Sequence, residues 1–326
     1  MFLNRSIVAA VGCGLTLALA ALASARAEEA FPSKPIRIVL PYAPGGPTDA
    51  IARALGRNLE SQLKVPVLVE NKPGGQGVIA MQTVMASRPD GYTVGWAPGN
   101  ALTTNRILMK DLPYKVQDFK LLTTLYRGGI VIVVPKNSPA RSLKQLLDQA
   151  RKDGKPMIYG TAGPGGTSHL TMEQIASMEG LPTQMVSYKG DAPMALDVMA
   201  GTLPAAMATV STTGEAHKQG KLKILAITSD KRTEQFPDIP TVAESGYPQV
   251  ESYFWAGAVV PAGTPTPVAD VLRKAIVAAM HSPDVKAAFT PDITPFTGTA
   301  QDFNEFLSED YNKWTSLIKS RGISLQ

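Results

Sequence analysis

Sulfur chemistry is nearly absent from this sequence. Cys13 is its only cysteine, so the chain can close no disulfide within itself and build no cysteine metal cluster. Histidine is almost as scarce, with only His169, His217 and His281. Neither a His-x-x-x-His spacing nor a carboxylate cluster accompanies them, so no metal is expected. His217 and His281 fall near helix ends, where a solvated imidazole is the ordinary role. Ser168 and His169 suggest a nucleophile and its base, but adjacent residues on a helix do not face each other. Gly166-Thr167-Ser168-His169-Leu170 also lacks the closing glycine of a nucleophile elbow. With no complete catalytic constellation, neither enzyme activity nor a cofactor is expected; a hydrolase using an anion hole is the remote alternative. Basic residues form no cluster interleaved with aromatics, which excludes a nucleic-acid surface.

Long apolar runs are missing too, except at the N-terminus. Arg5 precedes the almost wholly apolar stretch Ile7 to Ala23, and Ala25-Arg26-Ala27 follows as a small-residue cleavage site. This order predicts a secretory signal peptide over residues 1–27 and a periplasmic mature protein starting at Glu28. An uncleaved anchor is the alternative, but the apolar run is short for a membrane span. Cys13 lies inside that run, with Ala10 where a lipoprotein signal favours a larger aliphatic residue. Cys13 therefore leaves with the leader. Loss of Arg5 and Arg26 lowers the formal charge from +5 to +3, a mild excess compatible with anionic ligands.

The rest alternates short β-branched runs with amphipathic helices. Ile36–Leu40 reads as a buried strand, followed by a Gly-Pro loop and a helix with Ala52, Leu55, Leu59 and Leu63 on one face. A second series starts at the strand Ile130–Val134. Such alternation predicts an α/β protein with two lobes and mostly parallel sheets. No linker divides it, so the chain is expected to cross from lobe to lobe near Tyr126–Ile130 and to return near Ser252–Trp255. The expected lobes are 28–129 with 254–326, and 130–253. Paired crossovers make a hinge, suited to closure on a ligand. The protein is expected to be a monomer or a weak self-associate. Trp96 and Trp255 sit at strand ends and read as core residues, with Trp255 also placed to wall a pocket.

One internal repeat carries the site. Pro44-Gly45-Gly46-Pro47-Thr48-Asp49 and Pro164-Gly165-Gly166-Thr167-Ser168-His169 lie 120 residues apart, each after a strand and opening a helix. Glycine allows close backbone approach and left-handed angles. Free N–H groups at a helix start, at the positive end of the dipole, bind anions. Two such loops, one per lobe, would clamp one carboxylate. Neither loop completes a P-loop or G-x-G-x-x-G, so nucleotides are not expected.

With these residues the chain resembles the Bug family of extracytoplasmic solute receptors, associated with tripartite tricarboxylate transporters. The likeness continues through Val69-Glu70-Asn71-Lys72-Pro73-Gly74-Gly75, Arg88-Pro89-Asp90-Gly91-Tyr92-Thr93, Tyr188-Lys189-Gly190 and Val260-Pro261-Ala262-Gly263-Thr264-Pro265. It implies a type II periplasmic-binding-protein fold with an interlobe cleft. It also implies a small aliphatic or aromatic carboxylate ligand, sometimes an amino acid or a nicotinate-like acid, held largely by backbone amides and ordered water at the two glycine loops. The ligand-contacting residues implied or suggested are Tyr42, Gly46, Pro47, Thr48, Asp49, Asn100, Gly165, Gly166, Thr167, Ser168, Gly190 and Asp191. The partners implied are the membrane subunits of a tripartite tricarboxylate transporter or, alternatively, a sensor kinase. Asp191 departs from the family, which more often has a small residue there. It would disfavour a second ligand carboxylate or favour an ammonium; capping the helix Pro193–Met199 is an equal alternative.

Overall fold

The computed structural model describes residues 31–324; the signal-peptide segment 1–27 lies outside them. The first half runs β1 (Ile36–Leu40), α1 (Pro47–Leu63), β2 (Val67–Asn71), α2 (Val78–Met85), β3 (Thr93–Pro98), the short α3 (Gly99–Leu102) and α4 (Asn105–Leu108), then β4 (Phe119–Pro135). There follow α5 (Leu143–Asp153), β5 (Met157–Thr161), α6 (Thr167–Met178), β6 (Thr183–Ser187), α7 (Asp191–Ala200), β7 (Ala206–Thr209), α8 (Val210–Lys218) and β8 (Leu222–Ile227). The chain ends with β9 (Tyr253–Pro261), α9 (Thr266–Met280), α10 (Pro283–Lys286), β10 (Ile293–Pro295) and α11 (Ala300–Arg321).

Apolar alternation places helices on both faces of each half of the sheet. In β1, Ile36, Ile38 and Leu40 pack beneath α1 and α9, whereas Val39 faces α2 and α11. In the second half, Ile130, Ile132 and Val134 face α5 and α6, and Val131 and Val133 face α7 and α8. Each large aliphatic side chain buried this way contributes about 1.5–3 kcal/mol. The lobes thus have separate cores on a shared strand.

That strand corrects the expected topology. The sheets are mixed, not mostly parallel. Pairing is parallel at β1–β2, β1–β3, β5–β6 and β5–β7. The central contacts are antiparallel, because β4 and β9 run past each other from Phe119↔Pro261 to Gly129↔Tyr253. Beyond Gly129, β4 continues and pairs with β7 and β8. Thr123, Thr124 and Gly128-Gly129 interrupt the apolar pattern here, so only the stretch from Ile130 reads as a strand in sequence. In the fold, neighbours on both sides bury the first stretch as fully as the second. The expected crossovers lie within these strands, at the middle of β4 and the start of β9.

Thr228 ties the two crossings together. Its hydroxyl accepts from the Ile130 N–H at 2.9 Å and donates to the Ser252 carbonyl at 2.6 Å. Its backbone N–H donates to Ile130 O, and its carbonyl accepts from Ser252 N–H. Thr228 is wholly buried, so these groups have no water to replace a lost partner. On the opposite flank, α11 reaches from one lobe to the other. Trp314 and Ile318 pack against Leu108 and Leu170, and Arg321 pairs with the buried Glu173 of α6 at 2.9 Å.

Thr228→Val keeps the shape but strands the Ile130 N–H and Ser252 carbonyl. It should cost about 1–3 kcal/mol of stability, read as a lower denaturant midpoint with unchanged slope. A change under half a kcal/mol, on the order of a typical surface substitution, would show that the hydroxyl does not bind the crossings together.

Candidate functional site

The two glycine loops have the same geometry. The helices they open start after Gly46 (φ −82°, ψ 170°) and Gly166 (φ −76°, ψ 167°). The glycine before each is left-handed, Gly45 at +87° and Gly165 at +74°, angles that favour glycine, whereas those of Gly46 and Gly166 do not. In both loops the residue four positions on clasps that glycine. The Gly45 N–H donates to Asp49 Oδ2 at 3.0 Å, and the Gly165 N–H to His169 Nδ1 at 2.9 Å. Neither helix has a side-chain cap, so its first-turn N–H groups have no intrahelical acceptor.

Both helix starts point toward a cavity of about 310 Å³ between the lobes. From the first lobe Tyr42, Thr48, Asn100 and Tyr126 line it, with Pro98 and Gly99. From the second come Gly166, Thr167, Ser168, Asp191 and Thr209, with Ala162, Met207 and Ala208. The crossing strands supply Ile130, Phe254 and Trp255. Thus Tyr42, Thr48, Asn100, Gly166, Thr167, Ser168 and Asp191 of the expected set meet at one wall. Gly46, Pro47, Asp49, Gly165 and Gly190 are not on it. Asp49 turns away because the loop needs its carboxylate: Oδ2 takes Gly45 N–H and Arg53 Nε, while Oδ1 takes Arg53 Nη2 and Asn71 Nδ2. The Arg53 hydrogen bond leads in holding its carboxyl down at about 2. Gly165 is likewise occupied by His169.

The loops differ in strength as anion sites. The first begins with Pro47, which has no N–H, and keeps the ionised Asp49 in its first turn. The second begins with Thr167 and Ser168, both with N–H and hydroxyl groups and no acidic neighbour in the turn. An anion is therefore favoured at the start of α6. Among the described residues, no Lys, Arg or His lines this cavity. Ser168 and His169 do not pair, since His169 Nδ1 is committed to Gly165.

Tyr126 and Thr209 had no clear sequence signal as wall residues, whereas Tyr42 and Trp255 were expected there. Tyr126 lies with its hydroxyl by Thr48 and Trp96, and burial pushes its phenol up. Tyr42 is 37% exposed as a residue, yet desolvation at its phenol, and then Tyr126, push that group up. Trp255 stacks so closely over Gly99 that a Cβ there would come within 2.7 Å of its ring. Thr209 was legible only as a strand end before a helix, without a marking glycine. Its N–H and hydroxyl both donate to Asp191 Oδ2 at 2.8 Å. Burial pushes the Asp191 carboxyl up, these bonds oppose it, and Asp292 adds repulsion.

Gln76 bridges the two lobes. Its side-chain amide donates across the cleft to Pro164 O at 3.4 Å. Its own carbonyl accepts from Asn100 and Asn105, which holds the residue at a left-handed φ of 54°.

A two-lobed α/β fold with a cavity at its crossing strands is that of a periplasmic binding protein. Residues 51–323 match the family described as tripartite tricarboxylate transporter family receptor, and the chain belongs to that family. It is 30% identical to Protein BugT of Bordetella pertussis (strain Tohama I) over 317 residues, 96% of this chain and 97% of that protein. The solved structure of the periplasmic binding protein BugD is 29% identical, with a TM-score of 0.77, covering 91% of this chain and 100% of the other. R. palustris Rpa4515, solved with adipate, is 28% identical with a TM-score of 0.80, covering 90% and 99% respectively.

The His169 clasp predicts acid sensitivity. Desolvation lowers its pKa below the ordinary 6.5, against a smaller opposing effect of Glu173. A depressed pKa gives stability that is complete above the ordinary value and is lost as pH falls through the folded one. The melting temperature should therefore fall on the acid side of pH 6.5. His169→Ala should flatten that part of the profile while costing about 1–3 kcal/mol at pH 7, by stranding the Gly165 N–H. Parallel pH profiles for the two proteins would refute the clasp.

Proposed function

We propose that this protein is a periplasmic receptor that captures a small carboxylate between its lobes and presents it to the membrane subunits of a tripartite tricarboxylate-type transporter. The observation that carries this reading is the cavity at the start of α6, where uncapped backbone donors and two hydroxyls meet without a basic side chain. Membership of the receptor family and the adipate found in Rpa4515 support it. The lobes divide as 28–129 with 254–326, and 130–253, with the last turns of α11 crossing to α6. Residues 1–27 act as the export signal. Among the described residues no helix is long and apolar enough to cross a membrane.

Recognition is by dipoles and hydrogen bonds. Each bond to a charged acceptor contributes roughly 1.5–3 kcal/mol, so two or three at the α6 start suffice for useful affinity. Thr167, Ser168 and Gly166 hold the carboxylate; Tyr42, Thr48 and Asn100 complete the wall as the lobes close. Gly46, Pro47, Asp49, Gly165 and Gly190 serve by shaping the loops.

Carboxylates should raise the melting temperature while their amides and methyl esters do not; saturation at 100 times the dissociation constant adds about 2.7 kcal/mol. Gly166→Val is the sharper test. Its Cβ would meet nothing nearer than Gly163 O at 3.8 Å, so the variant should fold, yet its methyls would fill the anion position. Calorimetry should show loss of binding there. Lys189→Ala, at an exposed position, should change affinity by less than about threefold. The reverse ranking would place the ligand on a side-chain cation instead.

A further inference from the structure

The cavity has one formal charge, and it is negative. Asp191 opens α7, but its carboxylate does not cap that helix: Gly190 is the N-cap and no side-chain cap bond is made. Instead Oδ2 takes both donors of Thr209, at the start of α8. Among the described residues no protein donor reaches Oδ1, and Asp191 lines the cavity. The free Thr209 donors would hold an anion themselves if Asp191 did not occupy them. Asp191 thus stands in the first turn of α7, where its charge suits the helix dipole, while Thr209 fixes its carboxylate at the cavity wall through Oδ2.

A second observation points the same way. Asp292 is 7% exposed, and neither of its carboxylate oxygens has a partner among the described residues. It is close enough to Asp191 to repel it. Asp292 itself lines a neighbouring cavity with Arg127, Lys231 and Arg232, whereas among the described residues no Lys, Arg or His lines the wall beside Asp191. A ligand with a second carboxylate would bring another negative charge into this region, at a cost that rises as the closed cleft excludes water. A ligand ammonium would supply the missing positive charge and donate to Oδ1.

We infer that the ligand is an amino-carboxylate, its carboxylate at the start of α6 and its protonated amine on Asp191, and that Asp191 selects against dicarboxylates. This rests on the carboxylate-receptor reading above and narrows it. Thr209 is the positioning residue: its two bonds set the face that Asp191 presents. Asn100 lies across the cavity with its amide nitrogen committed to Gln76 O, which leaves its carbonyl oxygen as a further acceptor for the amine.

Calorimetry on the full mature chain tests it with two matched series. The four-carbon set is butanoate, 2-aminobutanoate, 4-aminobutanoate and succinate; the six-carbon set is hexanoate, 2-aminohexanoate, 6-aminohexanoate and adipate. In one set or both, an amino acid should bind at least about tenfold tighter than the amine-free acid and the diacid of equal length. Asp191→Asn keeps an acceptor for Thr209, and it should erase that preference. If that variant does not fold, the wild-type series decides alone. Tightest binding by succinate or adipate, or no gain from the amine, overturns the inference and leaves the carboxylate receptor standing. Binding of no member by a folded protein overturns both.

Discussion

The antiparallel passage of β4 and β9 is the constraint on which the rest depends. Each strand belongs to both lobes or to their junction, and Thr228 fastens the two where they cross. A continuous strand cannot break without losing ladder hydrogen bonds, so relative motion of the lobes is confined to bending there. The same strands supply Tyr126, Ile130, Phe254 and Trp255 to the cavity. Floor and hinge are therefore one object. Above it stand the two loop-helix junctions, with Gln76 joining one lobe to the other.

The electrostatics of the cavity follow from what those junctions withhold. At the first loop the anion-binding capacity is largely used internally, since Pro47 has no N–H and Asp49 satisfies Gly45. Arg53 neutralises Asp49 on the side away from the cavity. The second loop uses a neutral imidazole for the same clasp and leaves its dipole unopposed. A sequence duplication that looks symmetric thus gives an asymmetric site. The second lobe provides the stronger anion end and, through Asp191, the only formal charge on the wall among the described residues.

The parts legible in sequence were those fixed by neighbours along the chain. A buried strand, Pro-Gly-Gly and a helix-forming run specify each loop locally, which is why Thr48, Gly166, Thr167 and Ser168 could be named. Tyr42 and Asn100 came from their position beside such junctions and from the family resemblance. The parts that were not legible depend on pairing partners far away. The first stretch of β4 has threonines and glycines where a lone strand would want aliphatics, and only its two antiparallel neighbours explain their burial. Tyr126 and Phe254 reach the cavity through that register. Asp49, carried over from the family resemblance as a ligand contact, has its carboxylate taken by the Gly45 N–H, Arg53 and Asn71, partners that the sequence alone does not reveal. The orientation of Asp191 was undecidable until Thr209 was beside it.

Main-chain donors at the start of α6 have a consequence for descent. A guanidinium that holds an anion can be erased by one codon change; an N–H group of the backbone cannot, provided the turn around it survives. On the proposed reading, substitutions at Asp191, Asn100 or Thr209 would alter what accompanies the anion without removing the place where it sits. Such a chain can drift between ligands through single, functional intermediates, its general affinity for acids inherited with the fold and its particular taste rewritten at a few wall positions.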